Sequence, residues 1–274
     1  MGTVARLAVV SGLVACVACG GGGDGRTITG PPTSPSPSPG VDLSAACGAL
    51  GQTAGRTIAI VNGAECSSTR SAVVLLNIRN LAGDALGACS GTLVAPRSIL
   101  TAAHCVDQDA AVVRIWLGSG AEIVAQSFTL HPTYVQNPST GLDVAIVTME
   151  EDLPRTPMPI LTSREANLGE SAIIAGWGRD QSNIPSTLRA GTTSVSGVDN
   201  TYIQTQFSQT ASSICLGDSG GPILLNQGGS WAIAGVSSAA SVATCNTGTN
   251  FYVKVRHSQV TSFVVDRVPG VGRR

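Results

Sequence analysis

The amino-acid sequence predicts an all-β fold that ends in one short helix. Beyond residue 57, short apolar runs rich in β-branched residues alternate with Gly, Asn, Asp and Pro about every 8 to 20 residues, a pattern typical of a β-barrel or β-sandwich. In chain order the runs are TIAIV, AVVLLNI, SGTLV, SILTAA, AVVRIWL, DVAIVTM, SAIIAGW, GPILL, WAIAGVS and FYVKV. Only the C-terminal HSQVTSFVVDRV has helical spacing, at Val260, Phe263, Val264 and Val268.

The composition limits the possible partners. The chain has 274 residues, 43% of them apolar, and a formal net charge of −1, which is enough for a sizeable core in one domain or two fused lobes. A nucleic-acid-binding surface needs a basic excess, so we expect no nucleic-acid partner. We find no internal repeat, no phosphate-binding glycine loop and no set of zinc-type cysteine motifs, and we expect neither a cofactor nor a metal ion.

Residues 1–18 resemble a signal peptide. Arg6 precedes a mostly apolar stretch, residues 7–18, which suits an export signal and is too short to span a bilayer. LVAC and CVAC both resemble the end of a bacterial lipoprotein signal, whose cysteine is lipidated. Leu13 favours Cys16, whereas lipidation of Cys19 removes Cys16 and leaves an even number of cysteines. We therefore predict lipidation at Cys19, with Cys16 and an unlipidated signal as alternatives.

Residues 19–40 are predicted to be a disordered tether. The stretch GGGGDGRTITGPPTSPSPSPG has almost nothing to bury and cannot offset the entropy of ordering. Its Pro-Ser half is expected to be extended, and at about 3.1 Å per residue it spans roughly 30 Å. Together with the signal, the tether predicts an exported protein of the bacterial cell envelope or the extracellular space.

A serine among glycines carries the strongest chemical signal. Residues 215–222 read CLGDSGGP, with Ser219 near the centre. Serine becomes a nucleophile when a positioned base takes its proton and a third group orients that base. His104 ends the apolar run of LTAAHC, and Asp143 begins DVAIV. Both residues lie at predicted strand ends, where side chains can converge.

The order of these residues separates the hydrolase folds that use them. GDSGG also matches the nucleophile turn of α/β-hydrolases, but that fold needs an acid and then a histidine after the serine. No Asp or Glu lies between Ser219 and His257. A subtilisin-type order needs an acid before the histidine, and the best available, Asp84, lies in an undistinguished loop. The order His104, Asp143, Ser219 remains, which is that of chymotrypsin.

The sequence resembles the trypsin/chymotrypsin-like serine endopeptidases, in a form typical of bacteria. The resemblance implies two six-stranded antiparallel β-barrels with the catalytic residues at their interface. It also implies a propeptide at residues 41–59 and a protease domain at residues 60–274. The matching stretches, over about 200 residues, are IVNG (60–63), CSGTLV (89–94), LTAAHC (100–105), DVAIV (143–147), GWG (176–178), CLGDSGGP (215–222) and FYVKV (251–255).

The resemblance also implies a role for each residue of the site. Ser219 attacks the scissile carbonyl, His104 accepts its proton, and Asp143 orients the imidazole. The backbone N–H groups of Gly217 and Ser219 form the oxyanion hole.

Activation is expected to create a new α-amino group at Ile60 that pairs with Asp218, as in this family. The chain departs from the familiar pattern because Ala59, not a basic residue, precedes Ile60. Arg56 offers a basic site, but a cut there leaves Thr57 as the terminus.

The resemblance implies disulfides Cys89–Cys105 and Cys215–Cys245. Cys66 matches a family cysteine whose usual partner would lie near Ala190, where this chain has no cysteine. We expect the remaining Cys47 to pair with Cys66 and so to keep a cleaved propeptide attached. Disulfides also require an oxidising location, consistent with export.

Alignment from Ser219 predicts the substrate pocket. Ser213 takes the position at the pocket base where trypsin-type enzymes have an acid, and a buried Lys or Arg side chain would meet no carboxylate there. Ser237, Ser238 and Ala239 are expected to line the opposite wall. We predict cleavage after small or medium apolar residues.

The expected partners are protein or peptide substrates of a monomer, with membrane contact only through the lipid anchor. The alternative is a non-catalytic binding or adhesion lipoprotein that keeps the protease fold. His131 and His257 lie outside the matching motifs, so we expect them to be structural or solvent-exposed.

Overall fold

The computed structural model describes residues 43–52, 62–107, 109–135, 141–179, 187–208, 211–242, 245 and 247–274. The signal peptide, the tether, most of the predicted propeptide and three predicted functional residues, Cys16, Cys19 and Ile60, lie outside these residues. The described residues from Leu43 to Arg274 belong to one compact unit. Among the described residues, no helix is long and apolar enough to cross a membrane.

The first of two antiparallel sheets is built from seven consecutive strands. The first strand of the chain, β1 (Ala64–Glu65), belongs to the second sheet. The spatial order in the first sheet is β6-β5-β2-β3-β4-β8-β7. These strands are β2 (Val73–Arg79), β3 (Ala85–Ala95), β4 (Ser98–Thr101), β5 (Val112–Trp116), β6 (Ile123–Val124), β7 (Ser127–Leu130) and β8 (Ala145–Thr148).

This sheet curls into a half-barrel around an apolar interior. Ala125 donates its N–H to a carbonyl of β5, and the next residue, Gln126, donates to a carbonyl of β8, so the chain passes directly from one edge strand to the other. Leu76, Ile99 and Ile146 are almost fully buried inside the curl. Each such side chain stabilises the fold by about 1.5–3 kcal/mol.

The second sheet closes into a six-stranded barrel. Its order is β10-β11-β14-β13-β12-β9, and β9 pairs with β10 to complete the circle, which removes the free edges. The short β1 adds to β10 outside the barrel. The strands are β9 (Ser171–Gly176), β10 (Arg189–Val198), β11 (Tyr202–Gln206), β12 (Pro222–Gln227), β13 (Ser230–Ala240) and β14 (Thr249–Lys254).

The predicted all-β, two-barrel class is confirmed, with one difference in detail. The first sheet has seven strands instead of six, and its two edge strands, β6 and β7, do not pair with each other. The reason lies in β6, which is two residues long and exposed, and which pairs only with β5.

The predicted C-terminal helix is also confirmed. Helix α2 (Ser258–Arg267) buries Val260, Phe263 and Val264 against the core. The ring of His131 packs on Phe263 at 4.9 Å between centroids, and His131 Nε2 lies 3.3 Å from the Gln259 carbonyl oxygen. His131 therefore has a structural position beneath the helix.

A helix that the sequence did not predict precedes the barrels. Helix α1 (Leu43–Ala49) has seven residues, too few to be stable alone in water. It forms because Ala46 and Cys47 are fully buried against the domain and Cys47 is disulfide-bonded to Cys66. The described part of the predicted propeptide is thus packed against the second sheet.

Candidate active site

Strand pairing brings His104 and Asp143 together. His104 lies in the 3-10 helix Ala103–Cys105, directly after β4, and Asp143 lies just before β8. The antiparallel register pairs Thr101 at the end of β4 with Ala145 at the start of β8. The two motifs, about forty residues apart in sequence, therefore meet at one end of the first sheet.

The Asp143 carboxylate accepts two hydrogen bonds from His104, one from the ring and one from the backbone. His104 Nδ1 donates to Oδ2 at 2.6 Å, and the His104 backbone N–H donates to Oδ1 at 2.8 Å. The Asp143 side chain is 4% exposed and that of His104 is 35% exposed. A carboxylate only accepts, so the proton lies on Nδ1 and leaves Nε2 available as a base.

The pKa of His104 lies above its ordinary value. Burial disfavours the charged imidazolium, but the hydrogen bond from Asp143 and its negative charge, with a further contribution from Asp107, outweigh that effect. The imidazole is therefore a stronger base than a histidine in water.

Ser238 donates the third hydrogen bond to the Asp143 carboxylate. The sequence predicted Ser238 as a pocket residue and did not predict this contact. Ser238 Oγ donates to Asp143 Oδ2 at 2.7 Å from β13 of the second sheet. The ladder between β13 and β14 shifts register between Ser237 and Ala239, and Ser238 lies at that irregularity. The two consecutive serines of SSAA show in the sequence that a hydroxyl could lie here. The bulge determines which of the two serines reaches Asp143.

The turn that carries Ser219 lies against the end of β4. Ser219 O accepts a hydrogen bond from Ser90 N at 2.8 Å. Gly220 has φ +80°, and a Cβ there would lie 2.1 Å from Thr101 Oγ1 and 2.2 Å from Ser90 O. Only glycine permits this approach, which sets Ser219 beside the strand that leads to His104.

Ser90 is a second residue that the sequence analysis missed. Its hydroxyl donates to Gly217 O and accepts from Trp177 N, both at 2.8 Å. Its carbonyl accepts from Thr101 Oγ1 at 2.8 Å. Ser90 is fully buried and joins the serine turn to both sheets. The CSGTLV motif contains it, but no local pattern shows that its side chain bonds to this turn.

Two backbone N–H groups of the turn remain available to a ligand. Among the described residues, neither the N–H of Gly217 nor that of Ser219 donates a hydrogen bond. Gly217 has φ +97°, a conformation that other residues rarely adopt. No described hydrogen bond joins Ser219 Oγ to His104 Nε2, a contact that often tightens only when substrate is bound.

Asp218 is buried behind this turn. Its carboxylate accepts hydrogen bonds from Cys215 N and Gly178 N, both at 2.8 Å. Burial raises the pKa of Asp218 to about 6, although the two N–H donors and the charge of Arg189 act in the opposite direction. Asp218 is 1% exposed.

Ser219 opens onto a cavity of about 380 Å³. None of the described lining residues is charged; they are Ile214, Cys215, Leu216, Ser219, Ser238, Ala239, Ala240, Ser241, Val242 and Cys245. Two of the predicted pocket residues, Ser238 and Ala239, are among them. The other two, Ser213 and Ser237, are buried and do not line it: Ser213 is hydrogen-bonded to Asn250, and Ser237 makes backbone hydrogen bonds to Gly220 and Gly221.

The described cysteines form three disulfides. The pairs are Cys89–Cys105, which flanks His104, Cys215–Cys245, beside the cavity, and Cys47–Cys66. Within the described residues, Cys89, His104 and Cys105 are the one cluster with metal-ligand geometry. Both cysteines are oxidised and offer no thiolate, so we propose no metal there.

Comparison with known proteins identifies the family. A family model described as trypsin matches residues 60–264. This chain belongs to the trypsin family. It is 28% identical to bovine chymotrypsin-like elastase family member 1 over 205 residues, covering 64% of this chain and 77% of that protein. It is also 28% identical to trypsin of Saccharopolyspora erythraea over 162 residues, covering 50% of this chain and 70% of the relative.

A solved structure supports the same family. The structure of HL collagenase superposes with a TM-score of 0.61 at 25% identity, covering 72% of this chain and 94% of that one. The trypsin-family relatives are serine proteases that hydrolyse protein or peptide substrates, and proteases of this kind are generally secreted. The three disulfides of this chain fit an exported protein.

The site generates a prediction about pH. The kcat/KM for peptide hydrolysis should rise with pH as His104 loses its proton, with a midpoint above about 6.5, the ordinary pKa of histidine. Asp143→Asn removes the charge that raises this pKa, so the midpoint should move down and kcat should fall by about 10⁴-fold. A pH series of initial rates measures both, and a wild-type midpoint below that of free histidine would contradict the prediction.

A second prediction concerns Ser238. Ser238→Ala removes one hydrogen bond to a buried carboxylate, worth about 1.5–3 kcal/mol, and should lower kcat about tenfold with little change in KM. Ser241→Ala is the matched control because Ser241 lines the same cavity and its hydroxyl bonds to the backbone N–H of Thr249. Steady-state kinetics on one peptide substrate decide it; equal kcat in both variants would refute a positioning role.

Proposed function

We propose that the chain is a serine endopeptidase that works through His104, Asp143 and Ser219. Ser219 Oγ attacks the scissile carbonyl while His104 Nε2 takes its proton and later donates it to the leaving amine. Asp143 keeps the Nδ1 proton in place and stabilises the imidazolium. The observation that carries the proposal is the 2.6 Å hydrogen bond between His104 Nδ1 and buried Asp143.

We further propose that Gly217 N–H and Ser219 N–H form the oxyanion hole. Both groups belong to the turn that carries the nucleophile, and neither has an acceptor among the described residues. Donors that are already oriented stabilise the charge that develops on the carbonyl oxygen at little reorganisation cost. The hydrogen bonds from Ser90 to Gly217 O and Ser219 O support this orientation.

Covalent labelling tests the proposed nucleophile. A fluorophosphonate probe should label the processed wild-type protein and leave Ser219→Ala unlabelled, and the variant should lose peptide hydrolysis. Ser230→Ala serves as the control and should label normally, because Ser230 is exposed at the start of β13 and does not line the cavity. Absence of label on the processed wild type, or equal label on Ser219→Ala, would favour the non-catalytic binding lipoprotein instead.

We propose that the enzyme cleaves after small or medium apolar residues. The cavity beside Ser219 has no charged side chain among its described lining residues. The residue expected at the pocket base, Ser213, has only neutral partners in this group: the Asn250 amide donates to Ser213 Oγ at 3.1 Å and to Thr205 Oγ1 at 3.2 Å. A lysine or arginine side chain would be desolvated there without a counter-ion, at a cost of several kcal/mol.

A peptide-library profile of the processed enzyme tests this preference. Ala, Val or Leu should dominate the position before the cut. The variant Ser213→Asp supplies a carboxylate at the pocket floor and should increase cleavage after Arg and Lys relative to the wild type. A wild-type profile dominated by Arg and Lys would show that the proposed pocket is wrong.

We propose that the enzyme is made as a zymogen and that a new α-amino group at Ile60 pairs with Asp218. A buried carboxylate is stable in the charged form only with a partner, and burial already raises the pKa of Asp218. The Cys47–Cys66 disulfide would keep residues 43–52 attached after the cut. An apolar preference also permits self-processing after Ala59.

N-terminal sequencing of the active form tests the activation site. Two sequences are expected from the unreduced protein, one beginning at Ile60 and one from the disulfide-linked segment. Cys47→Ser should release the upstream segment during purification and leave Ile60 alone. A start at Thr57, or no cut between residues 53 and 61, would exclude Ile60 as the partner of Asp218.

We propose that the enzyme is exported as a monomer and held at the cell envelope by a lipid on Cys19, with Cys16 as the alternative residue. The signal-like residues 1–18 and the Pro-Ser tether support this proposal, as do the disulfides. Mass spectrometry of the N-terminal peptide identifies the lipidated cysteine.

A further inference from the structure

The turn before Ser219 depends on one buried carboxylate. Asp218 Oδ2 accepts from Cys215 N, Asp218 N donates back to Cys215 O at 3.0 Å, and Oδ1 accepts from Gly178 N. These bonds fix the backbone on both sides of Gly217. A protonated carboxyl accepts less strongly, so the turn needs Asp218 in its charged form.

An arginine of the same chain lies on the other side of Gly178. Arg189, the first residue of β10, is 1% exposed, and its Nη1 donates to Gly178 O at 2.7 Å. Gly178 is thus bound by Asp218 through its N–H and by Arg189 through its carbonyl. A guanidinium keeps its proton when it is buried, so Arg189 places a positive charge next to Gly178.

Arg189 also acts on Asp218 through its charge. The guanidinium of Arg189 acts on Asp218 in the direction opposite to burial and favours its carboxylate form. Its positive charge belongs to the side chain of β10 and does not depend on any cut in the chain. A new α-amino group, by contrast, exists only after cleavage.

We propose that Arg189 is a positioning residue for the oxyanion hole. It holds Gly178 through a hydrogen bond and supplies permanent positive charge to Asp218 in cut and uncut chains alike. This inference rests on the proposed role of Ser219 and Gly217. It predicts that the uncut chain has a measurable part of the activity of the cut enzyme. The new α-amino terminus would then further stabilise a turn that Arg189 and Asp218 already hold in place.

The first test compares Arg189→Met with Arg164→Met in the processed enzyme. Arg164 is the matched control because it also bonds a backbone carbonyl, that of Asn226, and a carboxylate, that of Glu170, away from the active site. Arg189→Met should lower kcat by about 10- to 100-fold with KM unchanged, less than or comparable to the roughly 10²- to 10³-fold effect of losing a whole oxyanion-hole donor. Arg164→Met should change only the denaturation midpoint.

A peptide aldehyde distinguishes a positioning role from a merely structural one. Its adduct with Ser219 places an oxyanion in the hole, so Arg189→Met should weaken inhibition in proportion to kcat, whereas the midpoint of the His104 pH profile should not move. Arg189→Lys keeps the positive charge and should recover part of the kcat and part of the aldehyde inhibition. The same two quantities are measured on Arg189→Lys if Arg189→Met does not fold. Unchanged kcat and unchanged aldehyde inhibition in Arg189→Met would overturn the proposal.

Labelling of the uncut chain provides the second test. The fluorophosphonate probe should label the larger, unprocessed wild-type band slowly, and Arg189→Met should abolish that label. If the processed band labels and the unprocessed wild-type band does not, Arg189 is insufficient and this proposal fails while Ser219 keeps its role. If neither band labels, the proposed function fails instead.

Discussion

The buried carboxylate of Asp143 is the constraint on which the two sheets of this protein depend. It accepts two hydrogen bonds from His104, at the end of the first sheet, and one from Ser238, in the second. A carboxylate with little exposure is stable in its charged form only when its oxygens are satisfied. The same bonds that satisfy Asp143 orient the imidazole, so the requirements of stability and of catalysis coincide at one side chain.

A second buried polar network supports the serine turn. Ser90 and Asp218 bind its backbone from opposite sides, and Arg189 reaches the same network through Gly178. The glycines of CLGDSGGP allow the backbone approach that these bonds require, since a Cβ at Gly220 would overlap Ser90 and Thr101. Buried networks of this kind favour one geometry of the turn, in which the N–H groups of Gly217 and Ser219 have no acceptor among the described residues.

Three disulfides join segments that are separated in the sequence. The Cys89–Cys105 disulfide joins β3 to the short helix that carries His104, and Cys215–Cys245 borders the cavity beside Ser219. Cys47–Cys66 holds α1, a helix too short to persist alone, against the second barrel. Residues 43–52, upstream of the proposed cut, are therefore part of the folded domain and share its core.

The sequence by itself determined the all-β class, the terminal helix and the residue types of the site, because apolar periodicity is local and the order His104, Asp143, Ser219 excludes rival folds. It did not determine that Ser238 reaches Asp143, that Ser90 binds the serine turn, or that Arg189 is buried beside Gly178. Those contacts depend on a bulge in β13, on register between strands and on the approach of distant backbone segments. Such features arise from how elements pack, and no local pattern of residues encodes them.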